Sequence, residues 1–203
     1  MAACGFFAAL SMTRQPWFVM AHSQYNAVQK LTGIGIGSPP VGKGQLTAQD
    51  DTMMEKVLLE ARAAITNGNV GVGALLLWRD EILALGHNRY VETGDMTAHG
   101  EIVVLRNAAP RLSKMDKDEK RELTLYSTLE PYLMCFLAIS FVGIKRVVYS
   151  ALCEDANEEE MMVRTITCKT LNDLLTRGPI ELVSGVRREE GRELLARMGK
   201  LRK

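Results

Sequence analysis

The chain has 203 residues, 47% of them hydrophobic, with 25 basic against 24 acidic side chains and a net charge of +1. That length and composition describe a globular domain with a sizeable core and exclude a disordered chain. The even charge excludes a long-range pull on nucleic acid or acidic membranes, though not a local basic patch, and no apolar run is long enough to span a bilayer.

Residues 1–46 read as an N-terminal extension. Up to residue 49 there is no Asp or Glu, while Arg14, Lys30 and Lys43 are basic. Residues 33–44 are rich in Gly and Pro and read as a flexible linker. The expectation is a flexible tail in a cytoplasmic protein, or translation starting at Met12 or Met20. The alternative is an organelle leader, because transit peptides are poor in acid. The stretch does not resemble a secretory signal, since no basic residue precedes its apolar part.

A single domain is expected over residues 47–203. Thr47 caps a helix with Asp50 and Asp51 at its positive end, and Met54, Val57, Leu58, Ala61, Ala64 and Ile65 form its apolar face. Asn67-Gly68-Asn69 ends it. Val72 to Trp78 reads as a buried strand, Arg79-Asp80-Glu81 as a turn and Ile82 to Leu85 as a second strand, making a hairpin. A polar loop covers Asn88 to Thr97, and a helix runs from His99 to Ala109. Pro110 to Arg121 reads as a surface loop, Leu123 to Ser127 as a strand. Pro131 opens a helix to about Phe141, proline suiting the first helical position. Arg146 to Ser150 is a strand, Glu154 to Arg164 an acidic helix, Leu171 to Leu175 a short helix, Ile180 to Val183 an edge strand and Arg187 to Met198 a closing helix. That order argues for an α/β fold, a mixed sheet of about five strands between helices.

The four cysteines, Cys4, Cys135, Cys153 and Cys168, are too few for a disulfide framework and read as reduced thiols. Two segments carry chemistry, Thr97-Ala98-His99-Gly100-Glu101 and Thr128-Leu129-Glu130-Pro131-Tyr132-Leu133-Met134-Cys135, each at the expected start of a helix. His99 offers an imidazole, the commonest zinc ligand. Cys135 offers a thiol in a first helical turn, where the helix dipole favours thiolate. Glu101 is near enough to move protons beside a metal without ligating it. The plainer readings are a capped helix start for His99 and Glu101, a core thiol for Cys135, a turn former for Asn88 and a structural His87. Cys153 and Cys168 read as inert, the methionines as core fillers, and Trp17 and Trp78 as packing residues.

His99-x-Glu101 followed by Pro131-Tyr132-x-x-Cys135 resembles the H-x-E and P-C-x-x-C pattern of the zinc-dependent cytidine deaminase superfamily. The resemblance extends through Gly71-Val72-Gly73-Ala74, Gly86-His87-Asn88, Leu123 to Pro131 and Gly143 to Tyr149, and covers roughly residues 50–150. The branch it looks most like includes cytosine, guanine and tRNA-adenosine deaminases. The resemblance implies a three-layer α/β/α sandwich. It implies zinc held by His99 and Cys135, Glu101 as the proton shuttle, and a base held by Asn88 and the Gly100 N–H. It also implies a homodimer.

Tyr132 departs from the family, standing where the first cysteine is expected. A catalytic zinc normally has three protein ligands plus water. Three outcomes follow: Tyr132 binds a displaced metal, another residue such as His87, Cys153 or Cys168 completes the site, or the metal is absent. The leading expectation is hydrolytic deamination of a nucleobase, nucleoside or related small amino-heterocycle. The alternatives are a metal-deficient binding or scaffold subunit and a tRNA-editing subunit. Nucleic acid is not favoured by overall charge, but the C-terminus from Arg187 to Lys203 is basic and keeps it open.

Overall fold

The structure, a computed structural model, describes residues 44–156 and 166–201, with side chains to residue 198. Most of the N-terminal extension and of the expected acidic helix lie outside the described residues.

Helix α1 (Ala48–Thr66) starts where Thr47 and Asp50 cap each other: the Thr47 hydroxyl accepts from the Asp50 N–H, and the Asp50 carboxylate accepts from the Thr47 N–H. Its face of Met54, Val57, Leu58, Ala61 and Ala64 is buried as the spacing requires. It ends at Asn67, followed by Gly68 at φ 81. Strands β1 (Gly73–Trp78) and β2 (Glu81–His87) form the hairpin. The next loop holds a single helical turn, α2 (Tyr90–Thr93), before α3 (Gly100–Leu112), α4 (Lys117–Arg121) and β3 (Leu123–Leu129). Helix α5 (Leu133–Val142), β4 (Arg146–Ala151), a 3-10 turn (Cys153–Asp155), α6 (Cys168–Asn172), β5 (Glu181–Ser184) and α7 (Arg188–Leu201) complete the order.

The five strands form one sheet in the order β2-β1-β3-β4-β5. β1 is antiparallel to both neighbours, while β3, β4 and β5 run parallel, so α5 crosses over between β3 and β4. Strand side chains alternate faces. Leu75, Leu77, Tyr126, Val148 and Val183 pack with Met54, Val57 and Leu58 of α1 and Leu194 of α7. Ala74, Leu76, Leu125 and Val147 pack with Val104 and Ala108 of α3 and Phe136 and Ile139 of α5. This is the expected three-layer sandwich. Fully burying each such Leu, Ile or Val contributes about 1.5–3 kcal/mol over leaving it exposed.

Three local expectations need correction. α3 runs through Pro110 to Leu112; only one helical N–H is lost, in the last turn, and buried Leu112 extends the apolar face. The stretch after it is not all loop, because Asp116 and Glu119 form a capping box that starts α4. Pro131 is not the first residue of α5: Tyr132 is its N-cap, and proline sits just outside. Met54, Met115 and Met198 are core methionines as expected, but Met96 is exposed. Trp78 packs against the core edge, with the Arg79 and Arg111 guanidinium groups each 4.6 Å from its ring.

Candidate active site

β1 is antiparallel to β3, so the start of β1 and the end of β3 lie at one end of the sheet. α3 begins against the first, and α5 begins just after the second. Gly100 is the reason α3 can come so close. A Cβ there would lie 2.9 Å from the Val72 carbonyl oxygen, with no flexible side chain to give way. The Gly100 N–H donates to Asn88 Oδ1 at 2.6 Å, and the Asn88 N–H donates to the Val72 carbonyl at 3.0 Å. Asn88 thus ties the end of β2 to the tip of α3. Before it, Asp95 accepts from the Thr97 hydroxyl at 2.6 Å and from Arg106 at 2.8 Å. The Thr97 hydroxyl first, then Arg106, hold the Asp95 carboxyl at about 2, so this loop keeps its charge.

His99 is the N-cap of α3, and Glu101 lies in the first turn. Cys135 lies in the first turn of α5. Their candidate ligand atoms all lie within 4.8 Å of one another. The Cys135 Sγ is 3.6 Å from His99 Nδ1. Strand alternation puts Ser127 of β3 on this face, and its hydroxyl donates to Glu101 Oε1 at 3.0 Å. Glu101 is 3% exposed, and its Oε2 has no hydrogen-bond partner among the described residues. Burial, then the Glu101 carboxylate, push the Cys135 thiol well above its ordinary range. A thiolate here needs a cation beside it.

The other sequence candidates are employed elsewhere. His87 Nδ1 pairs with Glu60 at 2.7 Å, and its Nε2 lies 3.6 Å from Glu92. The Cys168 thiol donates to the Pro131 carbonyl at 3.2 Å. The backbone N–H groups of Cys153 and Cys168 donate to the two oxygens of buried Glu130, at 3.0 and 2.8 Å. Burial first, then Glu130, push the Cys153 thiol up to about 12. None of the three joins the His99, Glu101 and Cys135 group. Tyr132 is half-buried and packs against the apolar cluster of Val72, Leu129, Ala151, Leu195 and Met198. Sequence reasoning gave no role to Ser127 or Glu130. Their signal was polarity within a strand and loop whose neighbours are all apolar or buried.

A zinc ion fits this donor set in part. Zinc–nitrogen and zinc–sulfur bonds of about 2.0 and 2.3 Å at a tetrahedral angle separate the two ligand atoms by about 3.5 Å. The observed separation matches, and the buried unpartnered oxygen of Glu101 is suited to a polar group brought in with a metal. The third protein ligand is the position Tyr132 occupies.

A mixed sheet with two helix tips presenting imidazole, thiol and carboxylate is the architecture of a hydrolase of the deaminase class. Residues 47–151 match the cytidine and deoxycytidylate deaminase zinc-binding region, and the chain belongs to that family. It is 35% identical over 148 residues to a tRNA-specific adenosine deaminase of Agrobacterium fabrum (strain C58), covering 73% of this chain and 92% of that protein. A solved structure from studies of A-to-I editing by tRNA deaminases at the wobble position of transfer RNA is 34% identical, with a TM-score of 0.58. It covers 71% of this chain and 99% of that one. The structure of NE0047 in complex with 2,6-diaminopurine is 25% identical with a TM-score of 0.62, covering 77% of this chain and 84% of that one.

Proposed function

We propose that this chain is a hydrolytic deaminase that replaces the exocyclic amino group of a nucleobase or nucleoside with oxygen from water and releases ammonia. The convergence of His99, Glu101 and Cys135 at one sheet end carries the reading. His99 and Cys135 would hold the zinc, which when bound would supply an activated water. Glu101, fixed at Oε1 by Ser127, takes a proton at its other oxygen and delivers it to the ring nitrogen and the leaving amine. Gly100 and Asn88 bind each other, so the Asn88 amide N–H group is the donor this pair offers a base.

The relatives named for tRNA support an adenosine in RNA as the first substrate to test, and NE0047 supports a free aminopurine as the second. Net charge does not separate the two. Tyr132 in the usual cysteine position favours one further reading, a metal-deficient homologue acting as a binding or scaffold subunit. The chain works as a cytoplasmic homodimer in this proposal. Cys135, Cys153 and Cys168 are free thiols, and α5 exposes Leu133, Met134 and Leu137 on its outer surface. Among the described residues no helix is long and apolar enough to cross a membrane.

The test is ammonia release from a panel of bases, nucleosides and unmodified tRNA, with wild type beside Glu101→Gln. Release by wild type alone supports the enzyme. No release on any substrate, with the protein folded and free of metal, supports the scaffold reading.

A further inference from the structure

Three of the four arginines described in the basic C-terminal segment are paired with acids, and Arg197 is exposed without an ion pair among the described residues. Arg187 pairs with Glu190 at 2.6 Å, Arg188 with Glu154 and Asp155 at 2.7 and 2.8 Å, and Arg192 with Glu189 at 3.2 Å. A cluster of cations that converge on one cavity lies at the far end of α5, although Asp116, Asp118, Glu119 and Glu122 share the α4 segment with three of them. A cavity of about 490 Å³ there is lined by Lys117, Lys120 and Arg121 of α4, Phe141, Lys145 and Arg177, and by no carboxylate. Among the described residues Lys117 and Lys120 form no ion pair. Arg121 reaches Asp118 only at 3.4 Å, with both side chains exposed, which makes a weak pair.

The far wall is fixed. Lys145 Nζ donates to the Arg177 and Gly178 carbonyls at 2.8 and 3.1 Å. Arg177 Nη1 donates to the Phe141 carbonyl at 2.8 Å, and its guanidinium lies 4.8 Å from the Phe141 ring centroid. Phe141 is 74% exposed. Burial, then the charges of Arg121 and Arg177, lower the Lys145 pKa, so these cations repel one another across the cavity. An anion relieves that repulsion. The volume falls in the range of small-molecule sites and exceeds what an inorganic anion fills. An exposed ring backed by a guanidinium beside a basic wall is the arrangement that stacks a base and holds its phosphate.

We propose that this cavity binds a phosphorylated nucleotide unit, its phosphate on Lys117, Lys120 and Arg121 and its base against Phe141 and Arg177. The unit is a free mononucleotide or one residue of an RNA strand. Gly143 lies eight helical steps beyond Cys135, about 12 Å along the axis, so this is a second site and does not rest on the deaminase reading.

The experiment uses the full chain with uridine 5′-monophosphate, uridine, inorganic phosphate and a short oligouridylate, read by calorimetry. Uracil has no amino group to remove, which keeps turnover out of the measurement. The monophosphate or the oligouridylate should bind, uridine should bind about tenfold more weakly or worse, and raised salt should weaken the charged probes. Lys117→Glu/Lys120→Glu should weaken both phosphate-bearing nucleotide probes about tenfold or more, with Lys117→Gln/Lys120→Gln intermediate. Phe141→Ser should weaken the nucleotide probes and spare inorganic phosphate. Binding of the monophosphate assigns the source as free nucleotide; binding of the oligouridylate alone assigns it as RNA. No binding by either, binding unchanged in the lysine variants, or uridine binding as tightly as its monophosphate would overturn the proposal.

Discussion

Asp50→Asn separates the forces that hold the end of the sheet away from the site. Asp50 is fully buried. It receives Arg146 Nη1 and Nη2 at 2.7 and 2.8 Å, the Tyr126 hydroxyl at 3.0 Å and the Thr47 N–H at 2.7 Å. Burial opposes its ionisation, but the hydrogen bonds from Arg146, Thr47 and Tyr126 outweigh it and lower the carboxyl from 3.8 to about 2. A shift of that size corresponds to about 2 kcal/mol of stability at neutral pH. Removing one partner of a buried pair costs about 3–5 kcal/mol, and the isosteric amide with a partly solvated Arg146 puts the expected loss near the lower end. The folded pKa is depressed, so the contribution is complete above 3.8 and is lost as pH falls through about 2. The stability gap between wild type and variant should therefore be about 1 kcal/mol smaller at pH 3 than at pH 7. Urea unfolding followed by circular dichroism at both pH values measures it. A gap that is the same at both would refute the assignment of this carboxylate as the ionised partner.

Gly100→Ala places a methyl against the Val72 carbonyl, so urea unfolding should show a loss of about 1–3 kcal/mol and ammonia release should fall as the α3 tip moves. Ser127→Ala should cost about 1–3 kcal/mol in urea unfolding and lower kcat about tenfold, because buried Glu101 loses the hydroxyl that fixes Oε1. Tyr132→Cys should raise zinc content per chain, measured by elemental analysis; equal content in wild type and variant would show that the tyrosine is no obstacle to the metal.

The fold was legible wherever local chemistry and burial agreed. Thr47 capping Asp50, the α1 face from Met54 to Ala64, and the apolar runs of β1 and β3 all point the same way at every level, and each element formed close to its expected span. Boundaries differed where a charged stretch or a proline stood for an element end. The charge of residues 110–121 suggests a loop, but buried Leu112 carries α3 past Pro110. Pro131 was given the first helical position, which its spacing to Cys135 does not require. In the site, His99, Glu101 and Cys135 were legible from their residue chemistry and from the family pattern they resemble, and they come together. Ser127 was not, because its role depends on which face of β3 meets α3, a register set by pairing with β1. The basic cavity was invisible to charge counting for the same reason: Lys117, Lys145 and Arg177 are distant in sequence, and only the tertiary fold brings them around one cavity.

The zinc content of purified Glu101→Gln, beside wild type, His99→Ala and Cys135→Ala, is the most direct test of the site. Wild type and Glu101→Gln should carry zinc in equal amount, with ammonia release confined to wild type, while the other two lose the metal. Zinc lost from Glu101→Gln as fully as from His99→Ala would make the carboxylate a ligand and contradict its role as the proton shuttle.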